Sequence, residues 1–245
     1  MIKIFRDFIT GLQFLTTIKI YNQSSWSNES FGRSVKFFPI IGAIIGALLA
    51  GIYIGLKPYV PVHVLIALVI LFEILITGAI HCDGFMDTAD GIFSGRDRFR
   101  ILEIMKDSRV GAHGVTAFVI LLLLKWSILL DMPESLFPIA IFLMPVISRF
   151  MMVICITVFP YARNEGMGKA FNNYARRSSL LIAIIFTIII TSFFNIAMIP
   201  ITVTILSGAL LALYINRKLN GLTGDVYGAI TEISGVIFLF VFLFI

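Results

Sequence analysis

The sequence predicts an all-α, polytopic membrane helix bundle of about seven spans, between six and eight, with its N-terminus on the cytoplasmic side. Three observations carry this. The 245 residues are 59% hydrophobic and only 13% charged, with a mean hydropathy of +1.00, whereas a soluble domain is about a quarter charged. Apolar stretches near 20 residues recur, enough to cross a hydrocarbon core of about 30 Å, and backbone inside lipid has to be helical. Lys and Arg gather in alternate loops, the positive-inside pattern. The net charge of +5 and pI near 9.3 therefore point to a membrane surface and not to nucleic acid. One membrane domain, 1–245, accounts for the length. Cys82 and Cys155 have no metal-ligand spacing, and Cys82 falls in a cytoplasm-type loop, so no disulfide is expected.

Residues 1–36, with Lys3, Arg6, Lys19, Arg33 and Lys36, read as a partly amphipathic segment lying in the cytoplasmic interface, interrupted by a polar loop over 21–30. Asp7 and Lys19 break the pattern of a signal peptide. Span one is expected over 37–56, where Gly42, Gly46 and Gly51 give small faces for helix contact. Lys57 and Pro58 turn the chain outside, and span two follows over 61–80. The loop 81–114 carries Arg96, Arg98, Arg100, Lys106 and Arg109 and belongs inside. Span three covers 115–130, and the outer loop 131–135 has two acids and no base. Span four, 136–159, contains Pro145 and Arg149; the loop 160–179 is basic and inside. Spans five and six, 180–199 and 201–215, are joined at Pro200. An inside loop over 216–229 leads to span seven, 230–245.

The chemistry gathers at one membrane face. Asp83, Asp87 and Asp90 fall directly after span two. On a helix, positions i, i+4 and i+7 lie within roughly 60° of one another. Three like charges there repel, and acids at a helix C-terminus oppose its dipole. A divalent cation bridged to phosphate removes the repulsion, since Mg²⁺ is held by a few carboxylates plus substrate phosphates. A water-exposed acidic helix end is the plainer alternative. Gly84 and Gly91 beside the acids allow close approach to the backbone.

The same loop holds Lys106, Asp107, Ser108, Arg109, Val110 and Gly111. Its bases serve either as a phosphate clamp or as topological charge. A third stretch, Gly221-Leu222-Thr223-Gly224-Asp225, lies on the same expected side and offers Asp225 as a further metal ligand or general base. Arg149, in mid-span, has to face the bundle interior or a wet cavity. Glu73 and Lys125 read as structural or snorkelling charges, His63 and His113 as structural, and 171–177 as a basic interfacial anchor. His81 beside Asp83 is a candidate for proton transfer or for supporting the groups that hold the ion.

At these residues the sequence resembles the cobalamin synthase family, the adenosylcobinamide-GDP ribazoletransferases. The family pattern His-x-Asp-Gly-x-x-Asp-Thr-x-Asp-Gly is matched throughout by His81 to Gly91. Leu102 to Gly111 resembles the second family block, and Gly221 to Ala229 with Glu232 the third. Phe14-Leu15-Thr16 and Phe38-Pro39-Ile40-Ile41-Gly42 also fit, so the likeness covers essentially the whole chain. Two departures stand out: Thr17-Ile18-Lys19 replaces the usual Arg-Ile-Pro, and His113 stands where an aromatic is common.

The resemblance implies that adenosylcobinamide-GDP and α-ribazole, or its 5′-phosphate, give adenosylcobalamin, or its 5′-phosphate, and GMP, late in cobalamin biosynthesis. It implies a magnesium-dependent transferase, with Mn²⁺ as a substitute, in the cytoplasmic (inner) membrane with its site on the cytoplasmic face. Asp83, Asp87, Asp90 and Asp225 are then the expected metal ligands, with His81 catalytic beside them. Arg96, Lys106, Asp107, Arg109, Arg149, Thr223 and Glu232 are the expected substrate and phosphate contacts. A homo-oligomer, or contact with enzymes of the corrinoid pathway, is compatible with the same likeness. Two other readings compete. Membrane CDP-alcohol phosphotransferases, or prenyltransferases acting on lipid diphosphates, also use Asp-rich sites, but the alcohol phosphotransferases usually show Asp-Gly-x-x-Ala-Arg, which Asp83 to Thr88 does not. A transporter would carry its acids nearer the midplane, often with repeats.

Overall fold

A computed structural model describes residues 2–20 and 27–245. Most of the expected 21–30 loop lies outside the described residues. The described chain is helical throughout, with a lone parallel bridge between Tyr161 and Leu222. Helices α1 (Ile2–Leu15) and α2 (Asn28–Ser34) form the N-terminal segment. Ser27 caps α2 by accepting from the Ser30 amide, and Asp7 pairs with Arg33 at 2.9 Å to tie the two together.

After a 3-10 turn, α3 (Phe38–Leu56) begins with Pro39 in its first turn, where the missing N–H is no loss. Next come α4 (Val62–Thr77), α5 (Ile80–Phe93), α6 (Arg98–Ile104) and α7 (Ala112–Asp131). They are followed by α8 (Phe137–Val158), α9 (Met167–Tyr174), α10 (Arg177–Thr191), α11 (Met198–Leu219) and α12 (Gly224–Phe242).

Helix α8 is the central post, packed against α3, α10, α11 and α12. Its most apolar window is 83% buried, against 28% for α7 and α11, which present apolar side chains outward as lipid-facing helices do. Contact between α3 and α8 is backbone to backbone. A side chain at Gly42 would overlap the Pro145 carbonyl, and one at Gly46 the Phe142 carbonyl. Close approach through small residues is how helices associate where no hydrophobic effect drives them.

Among the described residues five helices are long and apolar enough to cross a membrane, or seven if two bent pairs each count as a span. Those pairs are α4 with α5, bent by 92°, and α9 with α10, bent by 91°. The multi-pass helical architecture agrees with expectation; the loop bounds differ. The expected loop 81–114 holds α5 from its second residue and all of α6, 160–179 holds α9, and 216–229 holds the end of α11 and the start of α12. Hydropathy marks where a chain is apolar, and these helices carry mixed or polar faces that it reads as loop.

The two ends of the bundle sort as the alternating charge pattern required. Lys57, after α3, pairs with Glu134 before α8, and Tyr53 stacks on Phe137 with centroids 4.0 Å apart. At the other end, Arg98 of α6 donates to the carbonyls of Leu219 (2.6 Å) and Ala162 (3.0 Å), joining three segments.

Replacing Gly46 with Val should separate α3 from α8 and cause loss of the folded, detergent-stable form. Gly51→Ala and Gly55→Ala, where an added methyl meets nothing within 4 Å, should be neutral or stabilising by up to about 1 kcal/mol. Fluorescence-detected size exclusion with a thermal ramp reads the contrast.

Candidate active site

The site begins where α4 stops. Gly78 (φ 60°) and Ala79 (φ 57°) both take left-handed backbone, and the chain leaves the break at a right angle as α5. Alanine there is strained by about 1–2 kcal/mol. The freed α4 carbonyls are met from the N-terminal segment, where the Thr17 amide donates to Ile76 (2.7 Å) and its hydroxyl to Leu75 (3.1 Å). Thr17 stands where the resembling family shows arginine, and here it is a structural donor.

Helix α5 then crosses the first turns of α12 at glycines on both sides. A Cβ on Gly84 would lie 2.7 Å from the Asp225 carbonyl, and one on Gly228 would lie 3.2 Å from the His81 backbone. This crossing brings Asp83 and Asp87 beside Asp225. Thr223 caps α12, accepting from the Val226 amide, while its hydroxyl donates to Asp225 Oδ2 at 3.2 Å. Arg163 NH2 lies 2.8 Å from that same oxygen. A cavity of about 230 Å³ is lined here by His81, Asp83, Tyr161, Arg163, Asp225 and Tyr227, among others.

Asp90 behaves differently. Its carboxylate accepts from the amides of Gly111 (2.7 Å) and Gly114 (2.8 Å), so it caps α7 from outside that helix. Side chains on either glycine would overlap it. Asp90 thus differs from Asp83 and Asp87 in its contacts: each of its oxygens accepts an amide that joins α5 to α7. Among the described residues no three His, Cys, Asp or Glu side chains converge tightly enough to hold a metal ion by themselves. Mg²⁺ commonly takes only one or two carboxylates and completes its shell with water and substrate phosphates. Asp83, Asp87 and Asp225 fit that open kind of site and not a closed protein cage.

The expected phosphate contacts divide by burial. Arg96, Lys106 and Arg109 are exposed and do not line this cavity. Arg109 is bidentate with Asp107 (3.0 and 2.7 Å), and that partner holds the Asp107 carboxyl down to about 2. Arg149 and Glu232 are buried beneath the site. Lys125 Nζ bridges Glu73 (3.1 Å) and Glu232 (3.2 Å), while Arg149 donates to Ser148 (3.0 Å) and faces His81 Nδ1 at 3.4 Å. Two cations and two carboxylates balance there, which is what permits burial.

An arginine can only donate, so Nδ1 of His81 is the acceptor and its proton sits on Nε2. Nε2 is buried and has no partner among the described residues. In this tautomer the ring carries a donor, not an acceptor, at Nε2. Sequence reasoning missed Arg163 and Arg98, treating both as topological charge; no spacing in the sequence sets them apart.

A family model described as cobalamin-5-phosphate synthase matches residues 7–243. This chain belongs to that family. A Clostridium botulinum (strain Loch Maree / Type A3) protein named adenosylcobinamide-GDP ribazoletransferase is 39% identical over 246 residues, 99% of each chain. Proteins of the same name from Clostridium acetobutylicum and Fusobacterium nucleatum are 37% and 34% identical, covering 96% and 98% of this chain and 94% and 98% of their own. No solved structure matches. Membership in the cobalamin-5-phosphate synthase family sets aside the alcohol-phosphotransferase and transporter readings. It also covers all three motifs: the α5 aspartates, the segment before α7, and the start of α12.

A larger cavity of about 930 Å³ lies on the opposite face of α5, lined by Phe85, Ile92, Leu121, Tyr214 and other mostly apolar residues. It holds no carboxylate and stands apart from the chemistry.

Asp90→Ala should strand two α7 amides and lower stability by about 1–3 kcal/mol, whereas exposed Asp83→Ala should leave it unchanged. Lys125→Met should be costlier, about 3–5 kcal/mol, because two buried carboxylates lose their shared cation. Adding Glu73→Gln to Lys125→Met leaves Arg149 opposite Glu232 and should recover part of that loss. Thermal unfolding in one detergent compares all four.

Proposed function

We propose that this chain is an adenosylcobinamide-GDP ribazoletransferase: it joins adenosylcobinamide-GDP to α-ribazole, or its 5′-phosphate, yielding adenosylcobalamin, or its 5′-phosphate, and GMP. The supporting observation is full-length similarity to relatives bearing that name, at up to 39% identity, with the aspartate motif inside the matched region. A ribose hydroxyl of the ribazole attacks the phosphorus bonded to the cobinamide arm; the P–O bond to GMP breaks and the hydroxyl proton passes to a base.

Asp83, Asp87 and Asp225 are the residues proposed to hold Mg²⁺ or Mn²⁺. Such an ion, when bound, neutralises the diphosphate and stabilises the departing phosphate. His81 lines the same cavity, and the buried Arg149 facing Nδ1 keeps the ring proton on Nε2. Asp225, half-buried and lining the cavity, is proposed as a ligand of that ion, and the hydroxyl proton passes to a carboxylate of the same set. Lys106 and Arg96, exposed on the segment between α5 and α7, are proposed to contact the outer parts of a large nucleotide-bearing substrate. Gly84 and Gly228 serve the reaction by letting two helices touch so that acids from both face one space. Basic loops at this end of the bundle favour its placement on the cytoplasmic face of the inner membrane.

Purified protein in detergent or lipid discs should form cobalamin from the two precursors with Mg²⁺ or Mn²⁺, and none after chelation. Asp83→Asn and Asp87→Asn should each lower turnover by about 10²-fold or more while keeping the wild-type melting profile. Normal turnover by both variants in the presence of chelator would defeat the assignment.

A further inference from the structure

We propose that Arg163 is a phosphate-binding residue of this site, parked on Asp225 until a divalent cation takes that carboxylate and releases the guanidinium to the substrate's diphosphate. The inference rests on the reading of the site as a metal-assisted diphosphate site, and it assigns a task to a residue that no motif marks.

The position of Arg163 is built by the fold. Residues 160–162 run alongside Leu222: its amide donates to Pro160 (2.8 Å), and its carbonyl accepts from Ala162 (2.8 Å). Gly221, at φ 142°, permits this contact, since a Cβ there would lie 2.7 Å from the Ala162 nitrogen. Arg98 ties this segment to the end of α11 through the carbonyls of Ala162 and Leu219. The residue after Ala162 is thereby delivered to the start of α12, beside the acids.

Its partners are too few for its donors. A guanidinium has five N–H groups in a planar fork suited to two phosphate oxygens. Here NH2 makes an ion pair with Asp225 Oδ2 at 2.8 Å, and Nε, also buried, has no hydrogen-bond partner among the described residues. Arg163 and Asp225 line the cavity that Asp83 and His81 also line. The local charge is incomplete as well: Asp83, Asp87 and Asp225 meet one arginine, so the site keeps an excess of negative charge that invites a cation. A divalent ion on Asp225 repels the guanidinium at short range, while a diphosphate arriving with the ion attracts it. Arginine and metal then share the anion instead of the carboxylate. A purely structural ion pair would instead be kept when metal binds.

The test joins a metal-binding readout to kinetics. Mn²⁺ binding to the ligand-free protein, followed by the electron paramagnetic resonance of free Mn²⁺, should be about threefold or more tighter in Arg163→Ala, as loss of one competing charge interaction allows. At saturating Mg²⁺ the same variant should lose about 10²–10³-fold in kcat/KM for adenosylcobinamide-GDP, and Arg163→Lys should recover part of it. Arg163→Gln carries both measurements if the alanine variant does not fold. Both results are required: unchanged or weaker Mn²⁺ binding, or a kcat/KM within about threefold of wild type, overturns the inference alone. Wild-type protein that makes no cobalamin overturns the functional reading and this inference with it.

Discussion

Everything at the reactive end depends on a right-angle break in a hydrophobic helix. Inside a bilayer a helix cannot simply stop, because its last carbonyls would face hydrocarbon. Gly78 and Ala79 make the stop feasible by turning left-handed, and Thr17 supplies donors to the carbonyls that are exposed. With those conditions met, α5 runs across the end of the bundle and its acids meet the start of α12. Had α4 continued straight, the same acids would follow a span axis and Asp225 would have no partner.

The energetic counterpart lies one layer deeper. Glu73, Lys125, Glu232 and Arg149 come from α4, α7, α12 and α8, so their mutual neutralisation holds four helices in one arrangement. Buried charges are poor sources of net stability and strong enforcers of a particular geometry when each has its opposite. Here the geometry enforced includes the ring of His81, the link between the dry charge layer and the wet cavity. The buried charges and the cavity thus meet at one imidazole, and a readable reason exists for placing an arginine in mid-span.

Much of this was legible in the chain. Hydropathy and alternating basic loops gave the bundle, and the pairing of Lys57 with Glu134 agrees with the side assigned to each of those loops. The helical spacing of Asp83 and Asp87 also followed from sequence, as did singling out Asp225, which the crossing of α5 and α12 puts beside them. What did not follow was anything decided by a distant contact. Asp90 shares its helical face with the other acids, yet two glycine amides of α7 claim it, and periodicity contains no trace of them. Ala79 carries no compositional sign of left-handed backbone. Arg163 looks like any loop arginine until the pairing of its segment with Leu222 is seen. Phe171, read with its neighbours as an interfacial anchor, is instead packed among Phe14, Phe31 and Phe38.

The clasp at Asp90 has a bearing on how such chains can diverge. By fastening the end of α5 to the first turn of α7, it closes the intervening segment into a ring with a fixed base. Ring-closure entropy rises only with the logarithm of length, about 0.6 kcal/mol for each doubling. Insertions there would enlarge the ring without loosening its anchorage, so length can drift in this stretch while the carboxylates on the other side of the clasp stay put.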